Sequence, residues 1–253
     1  MLRKLIKHEF KASYRVYLPI YITIVGLGLL ALLFHWVNNY LLTTVIDGLL
    51  MTAVGGLGIF TIYNLIVAMG QRVYGKPGYL LFAIPSPTWK IMASKIITHF
   101  VWLAVTAMTF LFGIYVIIFT ISDSSIFPYL VEFVEESGYF TFSNTTAILF
   151  TVLSYALYFL TFFMFLFALL NLVYKGSHKV LYGILLYFAL DTVLSYITSL
   201  PVGSIWMRAI MNIGYTGQFE MPSFWVIGAT YFGVAVVLAL ATYFIIDRKT
   251  ELQ

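Results

Sequence analysis

Apolar residues fall in six long runs along this chain, and polar residues gather between them. The runs cover residues 16–36, 44–70, 95–121, 146–172, 180–200 and 224–246. A helix needs about 20 predominantly apolar residues to cross the hydrocarbon core of a bilayer, and every run meets that length. The pattern predicts an all-α integral membrane protein with six transmembrane helices. Composition agrees: 62% of residues are apolar and 9% charged, far from the balance of a soluble domain. No polar stretch exceeds about 25 residues, fewer than a folded soluble domain requires. Residues 1–253 therefore read as a single membrane domain.

The basic residues sort onto alternate connections. Arg3, Lys4, Lys7, Lys11 and Arg15 precede the first run, and Arg72, Lys76 and Lys90 lie between the second and third, with Lys95 at the mouth of the third. Lys175 and Lys179 follow the fourth, and Arg248 and Lys249 close the chain. The connection after the third run has no basic residue and carries Asp123, Glu132, Glu135 and Glu136. Of fourteen basic residues, Arg208 alone breaks the alternation. Lysine and arginine are retained on the cytoplasmic side, so both termini are expected there, in a plasma membrane. The net charge of +4 reflects this bias; no basic surface interleaved with exposed aromatics suggests nucleic acid as a partner. Cysteine is absent, which excludes disulfides, thiol catalysis and cysteine metal sites. No cleavable signal peptide is evident, because the first run is long enough to span and lacks a small-residue cleavage site.

Two polar segments carry more information than a simple turn. In residues 2–15, Leu2, Leu5, Ile6 and Phe10 recur at helical spacing, with Lys4, Lys7 and Lys11 mostly on the other side. That phasing predicts an amphipathic helix lying in the membrane interface. A basic retention signal is the plainer alternative, but it requires charge and no phasing. The connection 71–90 reads QRVYGKPGYLLFAIPSPTWK, longer than most connections between helices. Gly75, Pro77, Gly78, Pro85 and Pro87 fix its bends, and Ser86 with Pro87 suits the start of a helix that runs on into the third span. The loop is either a docking surface with exposed aromatics or a helical corner lying on the bilayer.

The residues LIKHEFKASYR near the start, followed by a proline-containing first span, resemble the beginning of type-2 ABC transporter permeases from Gram-positive bacteria. The string RVYGKPGYLLFAIPSPTWKIMASKI, residues 72–96, is similar to the segment joining the second and third spans of those permeases. There a Gly-Tyr-Leu run leads into a proline turn and a lysine early in the next helix. Where the family commonly has Leu-Pro-Val at the turn, this chain has Ile84-Pro85-Ser86. The resemblance extends over the whole topology. It implies a coupling helix in 71–90 that meets a separate ATPase subunit, with Tyr79, Leu80, Leu81, Phe82 and Trp89 as contacts and Arg72, Lys76 and Lys90 on the rim. It also implies a pair of short re-entrant outer helices over 201–222, where Ile205, Trp206, Met207, Ile210 and Met211 are too apolar for a free loop. Interface anchoring by Trp206 is the other reading of that segment.

Several apparent chemical motifs lack a required part. Residues 70–76 have the glycine and lysine spacing of a phosphate-binding loop, but Pro77 stands where the metal-binding hydroxyl belongs, and an apolar span precedes it. Glu135-Glu136 resembles an intramembrane protease pair, yet it sits in a connection, and Phe140 occupies the place of the required arginine. His8, His35, His99 and His178 are scattered, with no carboxylate at metal-ligand spacing. Asn144-Thr145-Thr146 matches a glycosylation acceptor only at the level of chance. Catalysis, a bound cofactor and a metal are accordingly not expected in this chain; ATP and Mg2+ would belong to the partner.

Inside the apolar runs, Asp191 lies about 17 Å deep at 1.5 Å per residue, where an ionised carboxylate costs roughly 2.5–3.5 kcal/mol. It is expected to face Ser195, Thr192 or a tyrosine hydroxyl, either as a substrate-path residue or as a structural hydrogen-bond partner. Asp47, near the outer end of the second run, is expected to line a vestibule, and His99 to be a satisfied neutral side chain. The aromatics Tyr155, Tyr158, Phe159, Phe162, Phe163, Phe165 and Phe167 cover every side of the fourth run and read as packing ahead of a substrate box. Gly26, Gly28, Gly55, Gly56 and Gly58 would permit close helix approach or a subunit interface. Residues 125–136 suit a short outer helix begun by Pro128.

These features together predict a permease subunit that pairs with a second copy or a paralogue and is driven by separate ATPase subunits. It would export an amphipathic or hydrophobic substrate, with a peptide favoured. The competing class is a non-transporting immunity or sensor module. An independent secondary transporter ranks third, since no inverted repeat or broken-helix pair is visible.

Overall fold

The computed structural model describes residues 2–71, 87–122, 142–174, 179–216 and 224–250, without the side chains of 71, 122, 142–144, 179, 205–216 and 248–250. Six α-helices make up the described chain: α1 (Leu2–Trp36), α2 (Tyr40–Ile66), α3 (Thr88–Ser122), α4 (Phe142–Val173), α5 (Lys179–Thr216) and α6 (Phe224–Thr250). All six are long and apolar enough to cross a membrane; five of the expected runs lie within one helix each, and the run 44–70 covers α2 and the π-helical turn that follows it. The described residues are all-helical, and six such helices make this a protein of multi-pass membrane type.

Local chemistry explains the boundaries. The α1–α2 connection needs only residues 37–39, because Asn38 adopts a left-handed φ of 58°, a conformation asparagine tolerates better than most residues. Asn39 then caps α2, its side-chain oxygen accepting from the Leu42 amide at 3.2 Å. After Ile66 the helix widens into a π-helical turn, Val67–Gln71. Pro87 immediately precedes α3, the position where a fixed φ and a missing amide hydrogen are harmless.

Two expected segments turn out to be parts of longer helices. Residues 2–15 are the first turns of α1, with no break before the first span. Leu2, Leu5, Ile6 and Phe10 are half-buried on the same stripe that continues through Ser13, Tyr17, Tyr21 and Ile24. Their phasing is met by cover from the protein. Likewise α5 passes through Pro201 and stays helical to Thr216, so 201–216 is one continuous helix in place of a short re-entrant pair. Residues 72–86, 123–141 and 217–223, with the expected coupling and short outer helices, lie outside the described residues.

The chain packs as two compact units. The first contains α1, the whole of α2, and α3 from Lys90 onward. Its core is Tyr17, Tyr21, Ile24, Ala31, Leu50, Val54, Leu57, Trp102 and Val116. Glu9 meets Lys95, Tyr21 meets Thr106 and Gly28 meets Phe112, so α1 and α3 run parallel. Val54 meets Gly113 while Phe60 meets Tyr17, which sets α2 running the opposite way. Close approach depends on Gly28 and Gly113: a Cβ on Gly28 would lie 2.7 Å from Phe112, and one on Gly113 would collide with Val54. Around Gly26, Gly55, Gly56 and Gly58 there is open space.

The second unit contains α4, α5 and α6 with the described residues 69–71 and 87–89. Helix α4 is its centre, with Leu160, Phe162, Phe163, Met164, Leu166, Ala168 and Leu170 buried. Helix α6 lies close against it: a Cβ on Gly228 would stand 2.6 Å from Phe150, and the Thr151 hydroxyl is 2.7 Å from the Phe224 carbonyl. Gly70, in the π-helical turn, is pressed against the Phe167 ring. On α5 the covered positions are Gly183, Leu186, Tyr187, Leu190, Asp191, Leu194 and Thr198, one stripe at helical spacing.

Substitution Gly113→Ala should lower stability by about 1–3 kcal/mol through overpacking against Val54. Gly55→Ala, facing open space, should leave the melting temperature of the detergent-solubilised monomer unchanged or slightly raised. Tryptophan-fluorescence melting of the two variants checks this contrast.

Candidate functional site

Helices α1 and α3 each contain 35 residues, about 52 Å at 1.5 Å per residue, against a hydrocarbon core of about 30 Å. Their N-terminal ends project in the same direction, and that is where charge has been buried. The Lys95 ammonium donates to the Glu9 carboxylate at 2.8 Å, with side-chain exposures of 2% and 15%. One turn further along α1, Ser13 accepts from the Trp102 indole N–H at 3.0 Å and donates to the Glu9 carbonyl at 2.6 Å. On α3, His99 lies between these partners, its Nδ1 2.8 Å from the Lys95 carbonyl. A carbonyl can only accept, so Nδ1 carries the hydrogen.

Helical spacing produces this arrangement. Glu9, Ser13 and Tyr17 follow one another on a stripe of α1, while Lys95, His99 and Trp102 do so on α3. Aromatic rings then extend the contact inward. Tyr17 stacks on Trp102 with centroids 4.9 Å apart and planes at 12°, and Phe10 packs on the indole at 5.8 Å. The Tyr21 hydroxyl lies 2.7 Å from that of Thr106. Meanwhile Arg3, Lys4, Lys7, Lys11 and Arg15 are exposed on the opposite side of α1.

Ion pairs of this kind contribute less net stability than their Coulomb attraction suggests, because both charges lose hydration; their attested use is to fix register. Here the pair determines which turn of α1 meets which turn of α3. Nothing in the arrangement supplies a nucleophile–base pair. Among the described residues no three His, Asp or Glu side chains come close enough to hold a metal ion. What the site can do is carry displacement: moving the start of α3 must move the N-terminal turns of α1.

Of the residues implicated in ATPase coupling, Trp89 and Lys90 form the first turn of α3, with Trp89 51% exposed and Lys90 half-buried. Arg72, Lys76, Tyr79, Leu80, Leu81 and Phe82 lie outside the described residues. Trp206 is on α5, but its side chain is not among those described. Asp47 does not line an open vestibule: it belongs to the covered stripe of α2, 8% exposed, and no described group hydrogen-bonds its Oδ1. Asp191 is half-buried on the covered stripe of α5. Thr192 is not its partner, since that hydroxyl donates to the Phe188 carbonyl at 2.8 Å.

The Glu9–Lys95 pair and its Ser13–Trp102 neighbour are not obvious from the sequence. One signal exists: Glu9 is the only acid before Asp47, and it falls on the apolar side of a segment with five basic residues. No protein-family model, curated protein or solved structure matches the chain.

Lys95→Ala should cost roughly 3–5 kcal/mol, because it strands the Glu9 carboxylate, whereas the double variant Glu9→Gln/Lys95→Met should recover most of that loss. A double-mutant cycle on the thermal unfolding of the purified protein measures the coupling; additive single effects would show that the pair does not act as a unit.

Proposed function

We propose that this chain is the membrane subunit of a type-2 ABC exporter, inserted in a bacterial plasma membrane with both termini on the cytoplasmic side. Two such subunits, identical or related, would enclose the pathway, since a single six-helix chain of this size gives no enclosed route by itself. Separate ATPase subunits would supply ATP hydrolysis. The substrate would be amphipathic or hydrophobic, a peptide being the best fit to a chain without a large outer domain.

One observation carries this reading. The string 72–96, which resembles the coupling connection of such permeases, runs directly into a helix that is ion-paired to the N-terminal segment. A push delivered at Trp89 and Lys90 would travel about one and a half turns along α3 to Lys95 and from there to Glu9 on α1. The coupling connection implied by the resemblance and the N-terminal segment would then move as one lever. Nucleotide state would shift the population between two such lever positions. The open faces at Gly55, Gly56 and Gly58 on α2 leave room for the close approach of a second copy.

Affinity capture through a tag on this chain should recover a stoichiometric ATPase with a complete Walker motif, and its hydrolysis rate should rise in the complex. Trp89→Ala/Lys90→Ala should weaken that recovery several-fold. Glu9→Gln should leave recovery intact while lowering the stimulation of hydrolysis. Recovery of a kinase with no ATPase would favour a sensor module, and substrate movement by the purified chain without nucleotide would defeat the proposal.

A further inference from the structure

The second unit contains a half-buried carboxylate that the coupling argument leaves without a role. Asp191 lies near the middle of the candidate span Val180–Ser204, on the covered stripe of α5 with Tyr187 one turn before it and Thr198 two turns after. It is the only ionisable group in that stripe besides the Tyr187 phenol. Among the described residues no hydrogen bond ends on its carboxylate, yet it lies within electrostatic reach of the Tyr158 hydroxyl on α4.

Tyr158 belongs to a group of facing rings. Its centroid is 5.4 Å from Tyr231 on α6 and 6.1 Å from Tyr155, and Tyr155 meets Tyr231 edge-on at 5.2 Å and 89°. Tyr187 closes the α5 side, packing edge-on against Phe162 at 5.7 Å. Tyrosines from three helices thus gather at the level of a single acid.

Two physical facts identify what such a group recognises. A carboxylate at mid-membrane depth is expensive unless a cation or hydrogen-bond donors accompany it. Tyrosine faces attract cations, the more strongly when water is excluded, and soft organic cations suit them best. The depth also narrows the source. Asp191 is about 17 Å along α5 from the start of the span, too far for the ammonium of a lipid headgroup held at the interface. We infer that Asp191 and the tyrosines Tyr155, Tyr158, Tyr187 and Tyr231 form a binding site for the positively charged, lipophilic portion of a membrane-embedded organic cation. Binding stands independently of transport; that such a cation is the exported substrate class rests on the permease reading.

The test uses the purified full-length chain in a non-ionic detergent, without any ATPase, and a matched pair of probes: tetraphenylphosphonium and tetraphenylborate, alike in shape and opposite in charge. Tetraphenylphosphonium should bind saturably at about one site per chain, and tetraphenylborate should show only micelle partitioning. Asp191→Asn should weaken cation binding at least tenfold. Tyr158→Leu should weaken it several-fold, and Tyr158→Phe, which keeps the ring face, should retain it. Equal saturable binding of both probes, or unchanged cation affinity in Asp191→Asn, would overturn the inference. The probe pair decides the matter on the unmodified chain even where a variant fails to fold. Failure to recover an ATPase would count against the permease reading and leave this binding result untouched.

Discussion

A hydroxyl or amide left without an acceptor in hydrocarbon is costly, and most of the described threonines find one on their own helix. Thr43, Thr44, Thr52, Thr61, Thr109, Thr120, Thr161, Thr192, Thr230 and Thr242 each donate to the carbonyl four residues earlier. That local solution satisfies the group but says nothing about which helix lies alongside. Specificity between helices therefore falls on the few polar contacts that cross from one to another. In the first unit these include Glu9–Lys95, Ser13–Trp102 and the Tyr21 hydroxyl against Thr106 and the Trp102 carbonyl; in the second, Thr151 against the Phe224 carbonyl is the clearest. Apolar packing alone would tolerate several registers of α1 against α3, and the buried ion pair admits one.

Much of the architecture is legible in sequence because membrane helices are limited by length and hydropathy, both of which are properties of contiguous residues. All six runs reappear as helices, and the largest shifts occur where a helix continues into polar residues. Hydropathy marks where lipid ends; it does not mark where hydrogen bonding ends. For that reason 2–15 and 201–216 are expected as separate elements and are found as extensions of α1 and α5. The phasing of 2–15 is plain in the sequence, but a phased apolar face does not reveal whether lipid or another helix covers it.

Pairings between distant residues are less legible. Sequence places Lys95 near the end of a span and Glu9 on the apolar side of its segment, but nothing in a single chain ties one to the other. The glycines illustrate the same limit. Gly28 is a point of close approach, while Gly113, the tightest contact, sits in a run rich in large residues and carries no sequence mark of its role. Asp47 is expected in open space because it lies near a helix end, yet depth along the axis does not fix which side of the helix a residue occupies. The aromatic run of α4 reads as general packing, and only the helices brought beside it distinguish Tyr155 and Tyr158 from the phenylalanines around them.

The ion pair also has a temporal consequence. Glu9 and Lys95 are separated by 86 positions, so during synthesis α1 leaves the ribosome well before the helix that carries the matching cation. Through that interval the apolar side of the N-terminal turns has no cover from α3, and the lipid surface is the nearest substitute. Only when the third helix enters can those first turns swing into line with the span that follows them. Biogenesis thus passes through an intermediate whose first segment rests where hydropathy alone would have left it.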